Sequence, residues 1–247
     1  MMQSKISSTT TALLAGAATI GALAFLILFA PAANVLAAGK FGNSGNNPMS
    51  GTNGADKIYA EGGNDKVNSG AGNDKVFGDL GSDTIHGGDG NDRLYGQGGN
   101  DYVYGDDGYD FVFGQLGNDH VYGGLEEDYV NGKEGDDVLY GGEESDQIFG
   151  EKDNDGMYGE GGNDRMYGGG GADMVDGGPG NDYIEGGEGN DRLYAGTGAD
   201  TVNGGSQDDY ISTMDGDDIV YCGPGYDTVN KKYSDTKYYS CEKFGDP

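Results

Sequence analysis

Aspartate recurs every nine residues through most of this chain. Stepping by nine from Asp56 gives Asp65, Asp74, Asp83, Asp92, Asp101, Asp110, Asp119, Asp128, Asp137, Asp146, Asp155, Asp164, Asp173, Asp182, Asp191, Asp200, Asp209, Asp218 and Asp227, twenty positions without a slip of frame. Glycine stands five places before the Asp in fifteen of these units and two places before it in sixteen. The nonapeptide from Gly87 to Tyr95, with Gly88 and Gly90, carries the full pattern, and Gly177, Gly178, Gly180 and Gly186, Gly187, Gly189 repeat it. Glycine enters positive φ without a Cβ penalty, so the Gly-rich half can turn tightly and aim its carbonyl oxygens at one place. The Asp adds carboxylate oxygen to that place. A hard cation such as Ca2+ takes about six to eight oxygen ligands, which carbonyls and carboxylates supply. Cysteine and histidine, the ligands of softer metals, are not needed.

The elements that position these groups follow from the other half of the unit. Two places after each Asp, from Ile58 to Val229, the residue is Ile, Val, Leu or Met in all twenty units. One aliphatic residue between mostly polar or aromatic neighbours is the pattern of a short half-buried strand. One unit is therefore a strand and a turn, and two units close one 18-residue coil. The predicted fold is all-β, a right-handed parallel β-roll (β-solenoid) of about ten coils over residues 51–230. Metal sites would fall between stacked turns, eighteen at the ceiling, along one edge carrying Asp56 to Asp218 and another carrying Asp65 to Asp227. Glu126, Glu144, Asp153 and Gln207 replace the Gly two before the Asp, which predicts a looser turn in those units. One aliphatic residue per nine is a thin core against the entropy of ordering a glycine-rich backbone. Bound cations are expected to drive the folding.

These residues resemble the RTX (repeats-in-toxin) nonapeptide family over about three quarters of the chain. The resemblance implies a parallel β-roll that binds multiple Ca2+ between turns and folds on meeting external calcium, with the family's Asp mapped onto the twenty positions above. Members that are toxins, proteases or lipases carry a further domain, for which nothing remains here outside residues 51–230 and the termini. The ending, Cys222-Gly-Pro-Gly-Tyr-Asp and then Cys241-Glu, resembles small exported bacterial calcium-binding repeat proteins.

Composition bounds the partners. Gly is 52 of 247 residues, and 43 acidic residues against 14 basic ones leave a formal charge of −29. No strict Gly-X-Y period is present, which excludes collagen. Phosphate binding needs clustered Lys and Arg, so nucleic acid is not an expected partner. Residues 1–38 hold a charge-free apolar run behind Lys5, then Pro31 and the small residues Ala37 and Ala38. This is the layout of a signal peptide, or of an N-terminal membrane anchor if it is retained. Both readings place the rest outside the cytoplasm. Residues 39–50 read as a Gly/Asn/Ser linker and 231–247 as a C-terminal cap. Cys222 and Cys241, the only cysteines, read as a disulfide in that compartment.

His86 and His120 are the only histidines and belong to no Cys/His cluster, so no catalytic constellation is expected and the chain is read as a non-enzyme. A polysaccharide lyase or epimerase is the enzymatic alternative. The residue after the aliphatic position is Tyr or Phe in twelve of twenty units. Tyr104, Tyr122, Tyr140 and Tyr158 fall in consecutive coils and form either a structural ladder or a platform for glycans or a protein partner. The function expected from sequence is calcium binding by a secreted or cell-surface module, with a calcium-dependent adhesin or carbohydrate binder as the alternative.

Overall fold

The structure is a computed structural model that describes residues 39–230, 236–241 and 243–245, all within one compact unit, Leu36–Pro247. The apolar leader lies outside the described residues, as do parts of the expected cap. Among the described residues every regular element is a strand. The strands alternate between two parallel sheets of twelve strands each. Partners are 18 residues apart, as in Val103↔Val121 and Val121↔Leu139, so each coil contributes one strand to each sheet. Ten coils come from the Asp units, with one extra coil before them and a shorter one after.

The alternation of side chains follows the strand period of two. All twenty aliphatic positions from Ile58 to Val229 are buried, at most 2% exposed. They form one continuous core between the sheets. The residue two further on also faces inward, and in most units it is the first glycine of the next repeat, which keeps the sheets close. The residues flanking each aliphatic position lie on the outer face, where all but the buried Asn131 are at least partly exposed.

The extra coil comes from residues expected to be a linker. Lys40–Asn43 pairs with Lys57–Glu61, and Pro48–Thr52 pairs with Lys66–Gly70. Met49 aligns with Val67 and packs against the core, while Asn47 occupies the aspartate position and its N–H donates to Asp65 Oδ1 at 2.6 Å. Composition concealed this coil because an amide, Asn47, stands where the repeat has Asp, and Lys40 stands opposite the core residue Ile58. At the other end the register also continues. Lys237–Tyr239 pairs with Ile219–Tyr221, and Thr236 stands 18 residues after Asp218. Lys243–Gly245 then pairs with Thr228–Asn230 with Lys243 opposite Thr228, fifteen residues on, so the last coil is shorter. The Cys222–Cys241 disulfide forms, with Cα atoms 5.0 Å apart, and ties this coil to a core position.

The turns where Gly is replaced keep their left-handed sense with a changed backbone angle. Glu126, Glu144, Asp153 and Gln207 keep a positive φ, at 68°, 69°, 72° and 84°, but fall short of the 109° to 157° held by the positive-φ glycines at that position. The stacked coils on either side impose the turn, and the side chain carries the strain. The acids gain something in return: Glu144 Oε2 accepts the Glu126 N–H at 3.2 Å, and Asp153 Oδ2 accepts the Gly135 N–H at 3.2 Å.

Two stability measurements follow. Glu144→Gly should stabilise the calcium-loaded roll by about 1 kcal/mol, the left-handed penalty relieved; an unchanged or lower melting temperature would show the turn to be unstrained. Replacing both Cys222 and Cys241 by Ala should cost about 3 kcal/mol, the chain-entropy value for a loop of this size. Identical melting of the two forms under oxidising conditions would show that the last coil holds without its staple.

Candidate metal centre

All twenty series aspartates point into the roll and are buried, none more than 8% exposed. Each strand brings its Asp in just ahead of the core aliphatic residue, at the inner corner where turn becomes strand. The two oxygens of each carboxylate have different surroundings. Oδ1 accepts the main-chain N–H of the Asp one coil earlier: Asp56 N–H to Asp74 Oδ1 at 2.6 Å, Asp101 to Asp119 at 2.8 Å, Asp209 to Asp227 at 3.1 Å. The ladder runs unbroken along both edges. Oδ2 of every series Asp from Asp83 to Asp209 is buried and accepts no hydrogen bond. An unpartnered buried carboxylate oxygen is costly, and a row of them points to missing positive charge.

The repeat glycines now separate by role. Gly88 and Gly90 hold φ of 93° and 128° and make the turn, as do Gly178, Gly180, Gly187 and Gly189. Gly87 does something else. A Cβ there would lie 2.5 Å from Asp92 Oδ2 and 2.5 Å from the Gly105 carbonyl oxygen one coil on. The glycine leaves open a cradle where a carboxylate and a main-chain carbonyl converge, and Gly177 and Gly186 leave the same space beside Asp182 and Asp191. Among the described residues no three His, Cys, Asp or Glu side chains converge on one point. A cation held here would therefore draw largely on main-chain oxygens, the donor set that suits calcium. The residues present fit that ion.

The cradle is closed at the ends. Ala60, Ser69, Ala195, Thr213 and Cys222 stand at the Gly87-type position, all buried, with a Cβ in that space. Ser69 Oγ donates to the Gly87 carbonyl at 2.7 Å. Two terminal carboxylates also find protein donors, while Asp65 Oδ2 is buried without one: Asp56 Oδ2 accepts Thr52 N–H at 2.6 Å and Thr52 Oγ1 at 2.8 Å, and Asp218 Oδ2 accepts Thr236 Oγ1 at 3.3 Å. Open glycine cradles thus lie from Gly78 to Gly204, interrupted once at Ala195.

Burial raises the proton affinity of the row. Desolvation, opposed by the backbone N–H and reinforced by stacked neighbours, pushes Asp83, Asp110 and Asp200 up to about 7 and Asp128, Asp146 and Asp155 up to about 8. Stacked buried carboxylates cannot all ionise together without a counter-charge.

A second ladder, overlooked in sequence, explains the Asn that so often precedes the Asp. Its side chain accepts the N–H of its counterpart one coil later, as in Asn163 Oδ1 from Asn181 at 2.8 Å and Asn181 Oδ1 from Ala199 at 2.7 Å. The signal was present in the frequency of Asn at that place; only stacking gives it a partner.

Tyr104, Tyr122, Tyr140 and Tyr158 do form a column, with centroids 4.6, 4.7 and 5.0 Å apart and near-parallel rings. Phe77, Tyr95 and Phe113 stack likewise on the other sheet. Inside each column the ring faces are covered by neighbouring rings, so the columns present mainly edges and hydroxyls, and Tyr158 ends its column opposite Asp176. His86 stacks on Tyr104 and contacts Asp106 at 3.1 Å, while His120 stacks on Tyr102; the two share no site.

The model of the RTX calcium-binding nonapeptide repeat (4 copies) matches this chain in overlapping segments that run over residues 41–229. No curated protein gives a significant match. Among solved structures, a hyperactive, Ca2+-dependent, β-helical antifreeze protein from an Antarctic bacterium is similar at 20% identity, over 82% of this chain and 84% of that one, with a TM-score of 0.49.

Carboxylates held above their ordinary value add protons to the metal-free roll, so its stability is highest in acid and falls as pH rises through about 6 to 8. Ion loading must displace those protons. Calorimetry in buffers of different ionisation enthalpy should therefore record proton release in mild acid, where the protonated metal-free roll is retained. The half-saturating calcium concentration should rise as pH is lowered from about 8 to 6, the range of the raised carboxylates; a pH-independent midpoint would contradict this account.

Proposed function

Because the chain belongs to the RTX calcium-binding nonapeptide repeat family, whose model spans well over half of it, we propose that it is a non-enzymatic secreted or cell-surface protein whose roll is folded and hardened by extracellular calcium. Calcium binding comes with the repeats. The observation that carries the rest is the row of buried, unpartnered Oδ2 atoms beside glycine cradles. Bound calcium supplies the positive charge that lets the stacked carboxylates ionise together. The chain's own part is to hold each carboxylate by its Oδ1, keep Oδ2 free and bring a carbonyl against it. The disulfide supports an oxidising compartment, since such bonds seldom persist in the cytosol.

The cradle also limits the ion count. Fourteen glycines of this type lie between Gly78 and Gly204, against a ceiling of eighteen from counting turn pairs. We assign the ions to those inner coils and read the terminal coils as caps closed by hydroxyls and methyl groups. The closed ring faces weigh against a sugar-stacking role for Tyr104 to Tyr158. An enzymatic reading finds no support in the arrangement of His86 and His120.

In chelator at neutral pH the chain should lack strand signal by circular dichroism and gain it cooperatively with calcium, with bound calcium by elemental analysis near fourteen ions per chain. Gly123→Ala, which fills a central cradle, should remove at least one ion and raise the calcium midpoint. A chain fully folded in chelator would sink the proposal.

A further inference from the structure

Cations on this protein are treated in two ways. At the turns they are paired across coils: Lys133 Nζ lies 2.9 Å from Glu151, and Lys152 Nζ lies 2.6 Å from Glu134. On the outward face of the sheet that starts at Lys40–Asn43 they are not. Lys57 is the cross-strand partner of Lys75, and Lys75 of Arg93, so three positive charges stack on consecutive coils. No ion pair with any of them is found among the described residues. Like charges directly opposite each other destabilise a sheet. Over seven consecutive strands, from Lys57–Glu61 to Arg165–Gly170, the two outward positions beside the core residue hold no Asp or Glu. This is so although the chain has 43 acidic residues.

The aromatic ladder holds these cations in line without neutralising them. Lys57 Nζ lies 4.8 Å from the Tyr59 ring centre, Lys75 Nζ 5.0 Å from Phe77 and 5.3 Å from Tyr95, and the Arg93 guanidinium 5.3 Å from Phe111. The rings beneath them recur at 4.9 to 5.0 Å, the step from coil to coil. The result is a straight, ordered file of positive charge with one cation per coil, on a protein otherwise strongly acidic.

We propose that this face, centred on Lys57, Lys75 and Arg93, binds a linear acidic polysaccharide bearing one carboxylate per sugar. Charge complementarity selects an anion, and the even file selects a polymer with charge at a similar step. A narrow chain lies on the face without meeting the acidic turns that border it at Glu61 and Asp79. Duplex nucleic acid fits worse: its charges come every ~3.4 Å along each strand, and its width sets phosphates against those turns. Recognition is by carboxylate pairing with the cations, since the ring faces are already covered. Loading the inner cradles with divalent ions offsets most of the −29 charge, so the folded form is also the one that admits a polyanion.

The test is calorimetric titration of the calcium-saturated protein with a β-1,4-linked mannuronate hexamer, a chain too short to gel. The neutral mannose hexamer of the same linkage and a DNA hexamer serve as comparators. The uronate should bind, more weakly as salt is raised, and the neutral hexamer should not. Joint Lys57→Gln, Lys75→Gln and Arg93→Gln substitution should weaken binding roughly tenfold, the sum expected of three exposed ion pairs. Lys66→Gln on the opposite sheet should leave it unchanged, and Lys75→Glu alone should also weaken it. Circular dichroism on each sample separates loss of the face from loss of the fold. Absence of uronate binding to the folded protein overturns the proposal. So does equal binding of the triple variant, which would place the anion on calcium at the turns, or equal binding of the neutral or DNA hexamer.

Discussion

The constraint on which this molecule depends is the stacking of like charges. Every coil brings an aspartate to the same inner corner, so carboxylates recur along each edge at the strand spacing and out of contact with water. Coulomb repulsion at such a distance grows as the local dielectric falls. The backbone relieves half of the problem, because each Oδ1 takes an N–H from the coil before. The other half is left to Oδ2, which in the inner coils has either a proton or a cation to turn to. Rising pH removes the first option and a calcium-rich environment supplies the second. Under the proposed function the fold is in this sense conditional on its surroundings.

What surrounds the row is economical. A single aliphatic residue per unit fills the core, and hydrogen-bond ladders do the work that bulk burial does in a globular domain. The Asp ladder runs inside the roll and the Asn ladder outside it, in opposite directions along the stack. The ends differ from the middle for a physical reason. A terminal coil has a neighbour on one side only, so an ion there would lack part of its shell. Thr52, Ser69 and Thr236 supply hydroxyl donors in its place, and the disulfide closes the last coil.

The outward faces obey a different logic. Their charges and rings are not needed to satisfy the buried row, which leaves them free to vary between the two sheets. One sheet carries a tyrosine column whose rings are spent on each other. The other carries cations that the fold neither pairs nor neutralises. Regularity imposed by the interior is thus copied to the surface as an evenly spaced display.

The nine-residue period by itself determined the repeat, the strand-and-turn unit, the core residues and the identity of the carboxylates, because strand alternation and glycine turns are local and act through neighbours in sequence. It also marked Cys222 and Cys241 as a pair. Several matters lay beyond it. The first coil at residues 40–52 was illegible, since Asn47 and Met49 are judged only by the coil they stack on. The left-handed geometry held by Glu126 and Glu144 was equally out of reach, because the neighbouring coils impose it against the residue's preference. The division of each aspartate into a bonded Oδ1 and an unpartnered Oδ2, and of Gly87 from Gly88 and Gly90, was decided by contacts 18 residues away. Sequence spacing reports which groups recur. Only the stack, by bringing one coil against the next, decides which oxygen of each is left for a metal.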